Sequence, residues 1–318
     1  MSEVDALFNA ATAVLLICLM FHHPVIALRF GRLGFVSLVA GSLIPLLDFV
    51  LFYFRAEDRI SYLVQDHLFY GLFYGLLLIA LLAALGRLLG SVRLGETMLL
   101  FLAGGYFLHL LLALLTPSGV PLLAPYYAQR TALPMFFPGH TLLLIVLACV
   151  LAFLEALPRH GRFVFTVGLL LLVLYAGAGV GQYGYISFRA SDLAGKDGQV
   201  YVEPANAWLT EWLVTVAGEE SYQIRRHAVH LREFDEPEVM PRWNDQTLMV
   251  RLLADETVNR FYSRVFRHPV VRMEENGSEL TLIMQELEDQ FPLVPGRTFY
   301  YEADRAEQNR FYQVQRFD

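Results

Sequence analysis

The sequence predicts an all-α polytopic membrane bundle of about six transmembrane helices, followed by a small soluble α+β domain with an antiparallel sheet. Three observations predict it. The 318-residue chain is 56% hydrophobic and only 17% charged, with a mean hydropathy of +0.45, a composition that needs lipid as its solvent. The apolar residues are unevenly spread: Leu76 to Leu85 and Leu169 to Leu174 are nearly unbroken runs, while everything after Arg189 reads as ordinary soluble sequence. From Gln199 onward apolar residues alternate with polar ones, the period of half-buried strands. Residues 1–190 are therefore expected to form the bundle and residues 191–318 the soluble domain, with the boundary near Ser187 to Asp192.

A span needs about 20 apolar residues. Six segments qualify in order: Leu7 to Leu28, Leu33 to Phe54, His67 to Leu85, Thr97 to Leu115, Gly139 to Leu157 and Phe163 to Ile186. The first is read as a helix that stays, because Met1 to Asp5 carries two acids and no base, and no small-residue cleavage site follows. Orientation follows from arginine pairs in short loops: Arg29 with Arg32, Arg87 with Arg93, and Arg159 with Arg162 are expected on the cytoplasmic side. The alternate loops hold three arginines, two of them offset by Glu57, Asp58 and Asp66, and so face outward. A bacterial inner membrane location with the N-terminus and the C-terminal domain extracytoplasmic is the result.

In the soluble part, Trp212 to Val216 and Ser221 to Leu231 read as strands and Thr247 to Phe266 as a helix. Asn276-Gly277 between alternating flanks is a strong hairpin signal, joining Val270 to Glu274 with Glu279 to Leu287. Trp208, Trp212, Tyr300, Tyr301 and Phe311 are expected in the domain core or in a belt against the membrane. His227, His230, Glu286, Glu288 and Asp289 are assigned no chemistry, since Glu286 and Glu288 are two apart and share one solvated strand face.

Several function classes drop out. The net charge of −7 comes with no basic patch, which argues against nucleic acid. Cys18 and Cys149 sit alone in apolar segments, as packing residues rather than disulfide partners or metal ligands. Gly179, Gly181 and Gly184 spell GxGxxG, but they end an apolar helix with no strand before them, so no organic dinucleotide cofactor is implied and close helix packing is expected instead; Gly71 with Gly75 is a second such pair. A transporter would need internal repeats or broken midplane helices, and the two three-span halves show no repeat.

Ionisable groups within or bordering a span are costly and mark function by default. Asp48, Asp66, His67, His109 and His140 lie towards the same expected outer face on four different spans. Carboxylate oxygens and imidazole nitrogens are what a zinc or manganese site uses, and three or four with an open position would activate water. The structural alternative is that His109 hydrogen-bonds a neighbouring helix, His140 flanks its helix and Asp66 caps span three. His22, His23 and Glu155 lie towards the other end and read as interfacial.

Three stretches resemble the long form of the bacterial membrane-bound metal-dependent hydrolases, the family that includes the LexA-regulated inner-membrane hydrolase. GYFLH (Gly105 to His109), continuing into LTPSGVPLLAP (Leu115 to Pro125), is similar to the family's histidine-bearing helix followed by LTPxGxxLLxP. GSLIPLLD (Gly41 to Asp48) aligns with its PDxD motif, with Leu46 in place of the first aspartate. QDHLFYGL (Gln65 to Leu72) stands where the family has HRGxTHS, with Asp66 and Gly71 replacing the two histidines, and Ala113 replaces an aspartate four residues after His109. The soluble part is also similar to the family's C-terminal extension at VEPAN (from Val202), WLV (from Trp212) and FRHP (Phe266 to Pro269). The resemblance implies a divalent-metal hydrolase. With the site at the outer membrane face, the bond cleaved would be an ester or phosphoester of a lipid or lipid-linked molecule. Loss of about half the ligand set favours the alternative, a catalytically inactive relative that anchors the outer domain as a binding or scaffold protein.

Overall fold

In the computed structural model the described residues are 3–54, 68–117, 119–124, 126, 131–137, 140–193, 199–231, 233–243, 269–276, 279–286, 298–304 and 311–314. They form a helix-rich N-terminal part and a strand-rich C-terminal part. The helices are α1 (Glu3–His22), α2 (Pro24–Leu43), α3 (Leu47–Phe54), α4 (Leu72–Leu89), α5 (Val92–Leu114), α6 (Thr141–Ala156) and α7 (Gly161–Ala190). Among the described residues, four helical segments are long and apolar enough to cross a membrane: Pro24–Leu46, Leu72–Leu89, Val92–Leu114 and Pro158–Leu193. Ala6–His22 and Thr141–Ala156 are shorter apolar helices, so the first and fifth expected segments are helical but fall short of that length.

Local chemistry explains the breaks. The first expected span does not run on to Leu28, because Pro24 has no N–H to continue the ladder and holds His23 extended (φ −75°, ψ 120°); α1 stops at His22 and Pro24 opens α2. Within α2, Gly31 takes φ +62°, a left-handed value that glycine adopts without penalty, and kinks the helix between Arg29 and Arg32. The turn between α4 and α5 is closed by Ser91, whose hydroxyl accepts the Leu94 N–H at 3.2 Å as an N-cap.

Helix α5 is the hub, packing on α1, α2 and α4. Its crossing with α2 is backbone to backbone: a methyl group on Gly41 would strike the Leu102 carbonyl, and one on Gly105 the Leu38 carbonyl. A methyl on Gly75 of α4 would strike the Tyr106 ring, in keeping with the packing expected at Gly75. Of the three α7 glycines in the GxGxxG pattern, Gly179 makes a close approach, to Met135 and Phe136, whereas Gly181 and Gly184 face open space, so the expected packing within the chain does not extend to them. Ala6, Ile44, Tyr70, Ile79, Leu102, Tyr106, Leu110, Ala113 and Val120 form one buried cluster, and Leu19, Leu147, Val150 and Leu154 join α1 to α6 in another. Leu169, Leu170, Leu171, Val173 and Leu174 are exposed on α7, the apolar surface a lipid-facing helix presents.

The C-terminal part holds two four-stranded sheets: β1 (Gln199–Pro204), β2 (Glu211–Ala217), β3 (Ser221–Ala228) and β4 (Glu238–Pro241), then β5 (Pro269–Asn276), β6 (Glu279–Glu286), β7 (Thr298–Asp304) and β8 (Phe311–Val314), each sheet ordered as in sequence. The second sheet is antiparallel throughout, and Asn276 pairs with Glu279 across the expected hairpin. The expected helix over Thr247 to Phe266 lies outside the described residues. The chain divides into two compact units: one takes in Met1–Leu193 with Tyr201–Val214 and Arg226–Asp235, the other Ala194–Val200, Thr215–Arg225 and Glu236–Asp318.

Candidate functional site

Within the first unit, polar side chains meet where α2, the turn before α4, and α5 come together. Asp48 sits one residue into α3, after the Ile44–Leu46 turn that Pro45 helps to set, and is 1% exposed. Its carboxylate accepts the Phe69 N–H at 3.0 and 2.9 Å and the Tyr70 N–H at 2.9 Å. Backbone donors just ahead of a helix lack intrahelical acceptors, and a buried carboxylate satisfies them with charge-assisted bonds. The Tyr70 side chain then carries the network across the bundle: its hydroxyl lies 2.9 Å from His109 Nε2.

His109 is fully buried on α5, and its Nδ1 is 2.7 Å from the Ser42 carbonyl. A carbonyl only accepts, so Nδ1 holds the proton, Nε2 is the basic nitrogen, and the Tyr70 hydroxyl donates to it. The Ser42 carbonyl belongs to the last turn of α2, where acceptors have no helical partner. The Tyr106 hydroxyl, one turn before His109, donates to the Gly71 carbonyl at 2.9 Å. His140, also fully buried, opens α6 in a left-handed conformation (φ +47°), and its Nε2 donates to the Leu112 carbonyl at 2.8 Å.

Of the five residues expected to share a metal, Asp48 and His109 are joined through Tyr70, and His140 is bonded to the same helix that carries His109. Asp66 and His67 lie outside the described residues. Among the described residues no group of three or more histidine, cysteine, aspartate or glutamate side chains converges on a point suited to a metal ion. Each imidazole does have one nitrogen oriented by a backbone carbonyl, the arrangement that fixes the tautomer of a metal-binding histidine.

Tyr70, the link of the network, escaped the sequence reading, because a tyrosine between apolar residues carries no sign of what its hydroxyl meets. Asn9 and Thr12 escaped it too, although polar side chains in an apolar segment are a signal; both are fully buried on α1, Asn9 one turn from Ala6 of the main cluster and Thr12 nearly two. Elsewhere, His227 is buried with Nδ1 3.3 Å from the Glu233 carbonyl and its ring against Phe234, a structural role. His230 follows β3 in a turn, Glu286 ends β6, and Glu288 and Asp289 lie outside the described residues. Trp212 belongs to the core, whereas Trp208 is 71% exposed; Tyr300 and Tyr301 fall on β7 and Phe311 on β8. Compared with known protein families, curated proteins and solved structures, the chain matches none.

Proposed function

We propose that this is a membrane-anchored binding or scaffold protein on a bundle that resembles the metal-dependent hydrolases, in which the Asp48–Tyr70–His109 network clamps helices together instead of turning over a substrate. The observation that carries this reading is the Tyr70 hydroxyl on His109 Nε2: the nitrogen a metal would use is engaged inside the chain, while Asp48 is spent on the Phe69 and Tyr70 amides. In the same reading six segments span a bacterial inner membrane, with α1 and α6 completing the four longer spans, and the arginine pairs place the N-terminus and the sheets outside.

The second reading, a hydrolase using zinc or manganese on a lipid or lipid-linked ester or phosphoester, is favoured by the carbonyl-oriented imidazoles of His109 and His140. In it the metal would take Asp48, Asp66, His67, His109 and His140 as its ligands. One experiment separates the two: elemental mass spectrometry of protein purified in mild detergent without chelator, as wild type and as His109→Ala. The clamp predicts no stoichiometric metal in either sample, even after zinc or manganese is added back, together with a lowered unfolding temperature for the variant. Near-stoichiometric metal in the wild type that vanishes in His109→Ala would overturn it in favour of the hydrolase.

A further inference from the structure

We propose that the turn between β1 and β2, residues 205–210, is immersed in the bilayer boundary at the C-terminal end of α7, with Trp208 seated among lipid headgroups and upper acyl chains. Three independent observations converge on it, and none depends on which side of the membrane this end faces.

Depth comes first. Arg162 is the last charged residue before the apolar stretch of α7, and Tyr175 is thirteen residues further on. At 1.5 Å per residue Tyr175 stands about 20 Å above Arg162, short of a hydrocarbon layer about 30 Å thick, and tilting the helix only lowers it. Yet the Tyr175 hydroxyl donates to the Ala207 carbonyl at 3.2 Å. The turn is therefore held at or below the level where the hydrocarbon ends. Gln182, about 30 Å above Arg162 by the same rise, accepts the Trp212 indole N–H at 3.2 Å, which ties the start of β2 to the boundary itself.

Pairing comes second. Irregular backbone near the hydrocarbon pairs its polar groups internally where it can, and this turn pairs part of its set. The Ala205 N–H bonds the Glu211 carbonyl at 2.8 Å, the Leu209 N–H bonds the Asn206 carbonyl at 3.2 Å, and the Thr210 N–H bonds Asn206 Oδ1 at 3.1 Å. The Thr210 carbonyl accepts from the Val229 N–H at 2.9 Å, and the Leu209 carbonyl from the Trp212 indole at 3.2 Å. Among the described residues, the Asn206, Ala207 and Trp208 N–H groups have no such partner, which suits the hydrated headgroup level rather than the hydrocarbon itself.

Strain comes third. Leu209 has φ +58°, a left-handed conformation rare for a residue with a branched side chain. It separates two tryptophan environments: Leu209 and Trp212 are 1% and 0% exposed, while Trp208 is turned out at 71%. Backbone strain spent on exposing a large aromatic ring has a purpose if the ring meets lipid, since the indole, apolar with one N–H, is the side chain best suited to the headgroup level.

The test uses the full-length protein in liposomes of phosphatidylethanolamine and phosphatidylglycerol. The emission difference between wild type and Trp208→Phe isolates Trp208, whose replacement is safe for the fold because the ring is exposed. The difference spectrum is expected to be blue-shifted, and quenched several-fold more by lipid brominated on the upper acyl chain than by aqueous iodide. Hydroxyl-radical footprinting of the unaltered protein serves as the second measurement, with Trp208 protected in liposomes. Strong iodide quenching, or oxidation of Trp208 while the Leu169 to Leu174 stretch of α7 stays protected, would mean that α7 spans but the turn faces water or a soluble partner, and the proposal would be wrong.

Discussion

At Tyr70 one hydroxyl joins a buried carboxylate's turn to a buried imidazole, and the energetics of the centre can be read from single-atom changes there. Tyr70→Phe removes the donor to His109 Nε2 and keeps the ring, so the expected loss is about 1 kcal/mol, read from thermal unfolding in detergent. Asp48→Ala removes the carboxylate from the Phe69 and Tyr70 amides and is expected to cost about 3 kcal/mol, with Asp48→Asn in between because one acceptor oxygen remains. Equal stability of all three variants would mean that the network contributes nothing to the fold. Asp48, His109 and His140 were legible as polar residues in apolar segments. Their partners were not, because Ser42, Tyr70 and Leu112 lie 67, 39 and 28 positions from the histidines they meet, and main-chain acceptors leave no trace in residue identity.

At the scale of elements, the α2–α5 crossing depends on the absence of two side chains. Gly105→Leu drives a side chain into the Leu38 carbonyl and is expected to destabilise by about 3 kcal/mol or to prevent folding, seen as loss of a monodisperse peak in detergent. Gly177→Ala on α7 is the control: nothing lies within 4 Å of the added methyl. That change is expected to be neutral or stabilising by up to about 1 kcal/mol, the helix preference of alanine over glycine. If both substitutions behave alike, close backbone approach is not what sets this crossing. The sequence pattern located the helices because apolar length is a local property, but it merged α1 with the start of α2, although Pro24 and Gly31 carried the break. The hairpin across Asn276 was legible for the opposite reason, since a two-residue turn sets register by itself.

For the whole molecule, the arginine pairs make a directional claim that packing does not. An alkaline phosphatase joined after Asp318 is expected to be active, and a fluorescent protein at the same place dark; the reverse pattern would place the sheets in the cytoplasm and invert every span. Within the first unit α7 also carries the start of β2: its thirty residues extend about 45 Å, longer than the hydrocarbon is thick. Trp212→Ala, which empties a fully buried site against Gln182 and Tyr183, is expected to cost about 3 kcal/mol or more and to release the β1–β2 turn to proteolysis in detergent. A variant as stable and as protease-resistant as wild type would show that α7 and β2 are not coupled through this side chain.

The sequence by itself determined the membrane class, the placing of the apolar helices and the pairing at the Asn276 hairpin, because each follows from composition, periodicity or a turn dipeptide over a short window. Only the tertiary structure decided what the polar groups do. Whether a buried histidine offers its nitrogen to a metal or receives a tyrosine proton depends on which distant atom is brought within 3 Å of it, and that is a matter of helix crossings. At His109 the close approach of α2 to α5, allowed by Gly41 and Gly105, delivers the Ser42 carbonyl to one nitrogen, and the turn before α4 delivers Tyr70 to the other.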